Sequence, residues 1–111
     1  METPNKWIIV EIKYKNSEIY KIIGGWDGGY LNSYYWKISD GIESISYNCE
    51  TEKYEFYGFN NEIYSCRINS YKLSFNNEDG YNYLKNIHKN AIKISIMPSN
   101  TNWMKLKNKT K

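Results

Sequence analysis

Apolar and polar residues alternate with a period of two through most of this chain, the spacing of half-buried β-strands. Between Trp7 and Tyr14, Ile8, Val10, Ile12 and Tyr14 point one way and Trp7, Ile9, Glu11 and Lys13 the other. Lys15-Asn16-Ser17 reads as a turn, and 18–23 as a second strand with Tyr20 and Ile22 on one face. The two strands predict a hairpin. Short strands follow at 36–39, 42–47, 53–59 and 63–68, punctuated by the turn signals Asp40-Gly41 and Asn60-Asn61. In 53–59, Tyr54, Phe56 and Gly58 share one face and Lys53, Glu55, Tyr57 and Phe59 the other, so aromatic rings cover both sides.

The period changes once. Leu84, Ile87 and Ala91 fall on one helical stripe with Tyr83 beside it, Asn76 or Asn77 offers a cap, and Glu78 and Asp79 favour the positive end of the helix dipole. Lys85 and Lys89 suit the last turn, whereas Gly80 weakens the start. Residues 91–97 return to alternation, with Ile92, Ile94 and Ile96 on one face, and Pro98 ends the strand. The pattern predicts an α+β fold: a twisted antiparallel sheet of six or seven strands with one helix packed on a face. Residues 1–98 form a single domain. Residues 99–111 are a Lys-rich tail, with room for a short element around Trp103-Met104-Leu106.

Composition and charge narrow the function classes. The 111 residues carry a net charge of +3, but Lys105, Lys107, Lys109 and Lys111 supply more than all of it. Without them the remainder holds 11 basic and 12 acidic groups, so the folded part is nearly neutral. Nucleic-acid-binding domains carry a basic face on the fold itself. Arg67 is the one arginine, so bidentate phosphate or guanine recognition is poorly supplied. Cys49 and Cys66 match no metal spacing, the run from Trp7 to Val10 is a strand rather than a signal sequence, and no segment is long enough to span a membrane. Two free thiols and a cytoplasmic location are expected.

The segment of greatest interest is Gly24-Gly25-Trp26-Asp27-Gly28-Gly29-Tyr30, followed by Tyr34, Tyr35 and Trp36. Four of the seven glycines lie within six positions, interleaved with large rings. Paired glycines weaken a strand interior, but they let the backbone approach another group closely and offer N–H donors to anions. Trp26, Asp27, Gly28, Gly29, Tyr30, Tyr34, Tyr35 and Trp36 therefore form the candidate binding site. The alternative is that these rings simply cover a sheet face. Three consecutive rings at 34–36 cannot all point inward, which favours binding. No metal site and no cofactor are expected. Catalytic candidates are sparse. His88 sits at the helix C-terminus, where a solvated or dipole-favoured cation is the simpler reading. Asp27 and Asp40 read as turn formers, and Glu50, Glu52 and Glu55 as a solvated edge. Cys66, beside Arg67, is either a reactive thiol or a small core residue.

The block Gly25-Trp26-Asp27-Gly28-Gly29-Tyr30-Leu31, leading into Trp36-Lys37-Ile38-Ser39-Asp40-Gly41-Ile42, resembles a pattern in small uncharacterised phage and prophage proteins. Tyr57-Gly58-Phe59, Tyr64-Ser65-Cys66 and Tyr71 extend the resemblance, which covers residues 20–74. The chain departs from that pattern at Asp40, where Ser is usual, and at Asn60-Asn61-Glu62, where small residues with a Gly are usual. The resemblance implies no reaction. It implies a viral setting, in which small single-domain proteins inhibit host defence, some by blocking CRISPR effectors and others by sequestering nucleotide signals.

Four readings follow. The first is a non-catalytic inhibitor of a host immune system, acting in the cytoplasm of an infected cell on a defence protein or ribonucleoprotein through Trp26, Tyr30, Tyr34, Tyr35 and Trp36. The second is a sponge for a nucleotide signal, gripped by the glycine N–H groups and helped by Lys21 or Lys37 in a homo-oligomeric pocket. The third is a small nuclease or hydrolase using Asp27, Asp40 or His88. The fourth is a structural virion or replication domain.

Overall fold

The computed structural model describes residues 1–28 and 35–106, together with the backbone of 109–110. Strands β1 (Lys6–Tyr14) and β2 (Ser17–Trp26) form a long antiparallel hairpin, in register from Lys6 opposite Gly25 to Tyr14 opposite Ser17. β3 (Tyr35–Ile38) pairs with the far half of β2. Then come β4 (Ser44–Asn48), β5 (Lys53–Tyr57) and β6 (Ile63–Arg67), helix α1 (Phe75–Ile87), β7 (Lys93–Ile96) and β8 (Lys109–Thr110). The strands divide between two antiparallel sheets. One has the order β3-β2-β1-β7, with β8 against the start of β2; the other is the meander β4-β5-β6.

The division follows from the hairpin having two apolar faces. Ile8, Val10, Ile12 and Ile23 join Leu84 in a core under α1, and Trp36, Tyr81 and Ala91 pack against it. Trp7, Ile9, Tyr20 and Ile22 face the other way and bury against Phe56, Tyr64 and Cys66 of the meander. The result is three layers: helix, central sheet, second sheet. Both faces of the alternation read in the sequence are thus buried, each in its own core. The α+β class, the antiparallel pairing and the helix on a sheet face are as the pattern predicts.

The second core also takes in Trp103 and Leu106. Residues 99–111, expected as a tail, therefore include a 3-10 turn (Trp103–Lys105) that closes the layer. The Trp103 ring lies 5.4 Å from Trp7 and 4.7 Å from Tyr71 between centroids. A large ring with an apolar neighbour gains more by burial than flanking lysines lose, because their charged ends still reach water.

Helix α1 begins two or three residues earlier than expected. Ser74 is the cap: its hydroxyl accepts from the Asn77 N–H, and the Asn77 side chain accepts from the Ser74 N–H. Asn76 and Asn77, expected as caps, are instead buried inside the first turn. Leu84 and Ala91 pack on the core under α1 as the stripe predicts, but its first turns run through Asn76 and Gly80, and Ile87 is half exposed. Gly80 fixes this choice. A side chain there would collide with Ile23 and press on Trp36, so its absence lets the helix lie close on the sheet.

Candidate functional site

The β2–β3 end of the central sheet holds the candidate segment. Trp26 and Tyr35 are register partners, and their rings stack with centroids 5.0 Å apart and planes 2° from parallel. Tyr35 is 47% exposed, while Trp26 is half-buried against the second core. The Trp26 ring lies over Gly24, with Pro4 on its flank, and a side chain at Gly24 would strike both. This glycine thus lets a bulky indole lie flat along its own strand.

On the opposite face, Gly25 makes room for Asn76. A side chain at Gly25 would come within 2.7 Å of the Asn76 amide oxygen. The Asn76 amide nitrogen donates to the Trp26 carbonyl at 2.7 Å and to the Asp27 carboxylate at 3.3 Å. Its oxygen accepts from the Asn77 N–H and the Ser74 hydroxyl. From the other side, the Asp27 N–H donates to the Asn5 side chain at 2.8 Å, and the Asn5 N–H to the Gly25 carbonyl at 2.9 Å. The start of α1 and the N-terminal segment therefore clamp the end of β2. Gly28 follows with φ +73°, a left-handed turn out of the strand. Asn5 and Asn76 carry this clamp, and sequence reading missed both; adjacent asparagines at a helix start look like caps and nothing else.

The structure brings Trp26, Asp27 and Tyr35 together with Gly28 at the exit. It separates Trp36, which alternation turns to the helix side, where its ring meets Tyr83 at 5.7 Å and helps cover the first core. Gly29, Tyr30 and Tyr34 lie outside the described residues. Lys37 is tied to Glu2 at 2.9 Å, and this contact raises its pKa. Its ammonium is thus already matched.

The catalytic candidates are held in structural roles. Asp40 accepts from the Phe59 and Asn60 N–H groups and closes the β5–β6 turn, and a side chain at Gly58 would run into its carboxylate. Glu62 accepts from the Asp40 N–H, and burial raises its pKa. Cys66 is buried in the second core, on the face away from Arg67, and burial pushes its thiol up. It is therefore a core residue, not a reactive thiolate, since among the described residues no cation reaches it to favour the charged form. Cys49 is exposed and also free. Among the described residues no three His, Cys, Asp or Glu side chains converge in a way that would hold a metal ion.

His88 is partly buried and hydrogen-bonded. It caps the end of α1, and its Nδ1 lies 2.7 Å from the Tyr14 hydroxyl. Burial, and then the charge of Lys21, lower its pKa below the ordinary 6.5. Desolvation here outweighs the attraction of the helix C-terminus. The unfolded chain therefore takes up this proton before the folded one does. Stability from this residue is full above about pH 6.5 and falls as the pH drops through that value. Urea unfolding midpoints at pH 8 and pH 5 should differ, and His88→Gln should shrink the difference. An unchanged difference in that variant would remove His88 from the acid response.

Comparison with known proteins returns no match: no family model, no curated protein and no solved structure is similar to this chain.

Proposed function

We propose that this protein acts by non-catalytic binding, with the stacked Trp26–Tyr35 pair as the anchor that a partner protein covers. The observation carrying this reading is the exposed Tyr35 face on a rigid, clamped strand end. An exposed ring that is already ordered loses little entropy when a partner buries it, and Trp and Tyr dominate the energetics of interfaces. Asp27, Asp40, Cys66 and His88 are held in a clamp, a turn, a core and a helix end, which favours binding over a nuclease or hydrolase built on them. The resemblance to phage proteins supplies the setting: a small anti-defence protein inhibiting a host immune effector, a CRISPR-associated ribonucleoprotein being the first candidate.

The test is a plating assay. The chain is expressed in bacteria carrying an active CRISPR system and challenged with a targeted phage. Plaques should recover with the wild type and be lost with a Trp26→Ala, Tyr35→Ala double variant that keeps its circular dichroism spectrum. Removing two aromatic anchors of this kind weakens an interface by about 30-fold or more. Equal protection by variant and wild type would exclude the stack as the anchor. Failure of the wild type against every effector type tried would exclude the anti-defence setting.

A further inference from the structure

A polar groove lies beside the stack, on the edge where the two sheets meet the N-terminal segment. One half is a cleft of about 480 Å³ lined by Thr51, Glu52, Lys53, Arg67, Asn69 and Ser70. The other is a cleft of about 290 Å³ that shares Arg67 and Ser70 and adds Thr3, Asn5, Lys6 and Asp27. The two halves meet at the one arginine of the chain.

Three features mark this groove as a site. Lys53 and Arg67 are direct register partners on β5 and β6, so two like charges face each other across the strand pair. Such opposition works against pairing. Lys6 and Lys53 are also half-buried. Yet the ion pairs among the described residues are Lys13–Glu18, Lys37–Glu2 and Lys93–Glu11, and none involves a groove cation. Finally, the groove is built on fixed backbone. The Arg67 carbonyl accepts from the indole N–H of the fully buried Trp7 at 2.7 Å. The turn opposite is held by the Asn48 side chain, which accepts from the Glu50 N–H, and by the Glu52 carbonyl, which accepts from the Ile68 N–H. Glu52 itself sits at φ +54°, a conformation uncommon outside glycine and enriched at functional turns.

We propose that this groove binds a small phosphorylated ligand of the nucleotide class, with its phosphate on Arg67. The guanidinium offers a planar fork to phosphate oxygens, and Lys53 and Lys6, lining one cleft each, add positive charge to the groove. One carboxylate lies in each half, Glu52 and Asp27. Carboxylates accept hydrogen bonds from sugar hydroxyls, and their charge repels an extended polyanion. A mononucleotide satisfies both signs, while a nucleic acid strand would meet repulsion at each end. The larger cleft lies in the size range of small-ligand pockets. The groove uses different side chains from the Trp26–Tyr35 stack and touches it at Asp27, so it stands or falls separately from the binding function proposed above.

Isothermal titration at low salt, with ADP, pyrophosphate, adenosine and a 20-nucleotide oligo-dT as probes, tests the assignment. ADP and pyrophosphate should bind one to one, and adenosine should not. Arg67→Ala should weaken ADP by about tenfold or more, as expected for loss of a charge-assisted bidentate contact, and Arg67→Lys by less. Lys89→Gln, which removes one positive charge beyond the helix, should leave ADP binding as it is. The Arg67 side chain is exposed and its carbonyl contact survives substitution, so these variants keep the fold, checked by their thermal midpoints. The proposal is overturned if ADP gives no heat at millimolar concentration, if adenosine binds as well as ADP, if Arg67→Ala binds like the wild type, or if oligo-dT binds more tightly than ADP.

Discussion

A chain ending at Pro98 is expected not to fold cooperatively. The truncation removes Trp103 and Leu106, which are 5% and 9% exposed and pack in the core between the two sheets. Their loss leaves the Trp7 and Tyr71 rings without one wall. Emptying a buried tryptophan site costs about 3–5 kcal/mol and a leucine site about 2–5 kcal/mol. The sum rivals the roughly 5–15 kcal/mol that holds a whole domain together. A thermal melt followed by circular dichroism separates the outcomes. The chain ending at residue 98 should show a broad, non-cooperative change, while one ending at residue 106 should melt sharply near the full-length midpoint. A sharp, unshifted melt for the shorter chain would mean that Trp103 contributes nothing to the core.

The second large effect is expected at Trp7. This side chain is fully buried and touches Phe56, Tyr71 and Trp103, with ring centroids 5.5, 4.7 and 5.4 Å away. Its indole N–H also reaches the Arg67 carbonyl, 60 residues along the chain. Trp7→Ala loses the packing, worth about 3–5 kcal/mol. It also strands a partly buried acceptor, at about 1–3 kcal/mol more. Trp7→Phe keeps most of the ring contacts and loses only the donor together with part of the volume. Urea unfolding should therefore place Phe between wild type and Ala, and Ala at or below the limit of folding. If Phe and Ala were equally destabilised, the hydrogen bond and not the packing would dominate at this position.

Much of the fold was legible because the hairpin carries its own instructions. Ile8, Val10 and Ile12 against Trp7 and Ile9 is an alternation in which both sets are apolar, and both sets are buried. The division of strands between two sheets was not legible, because periodicity says which way a side chain points and not which strand it will meet. The helix start was missed because Ser74 precedes Phe75, which is 82% exposed and gives no amphipathic signal at the first turn. Burial of the C-terminal segment was not legible because four alternating lysines outweigh three apolar residues, Trp103, Met104 and Leu106, in any local average. At the candidate site, exposure of one ring in 34–36 followed from sterics, and Tyr35 supplies it. The Asn76 clamp, 50 residues distant from Trp26, leaves no local signature at all.

The β1–β2 hairpin has no solvent face over most of its length, and that sets how such a chain can diverge. A surface strand accepts substitutions at every second position; here neighbouring positions from Trp7 to Val10 are each committed to a core. Tolerance is left to the turns, the outer side of α1 and the outward positions of β4, where Ser44, Ser46 and Asn48 are exposed. A descendant of this protein would keep its first two strands nearly fixed while those outward positions were replaced.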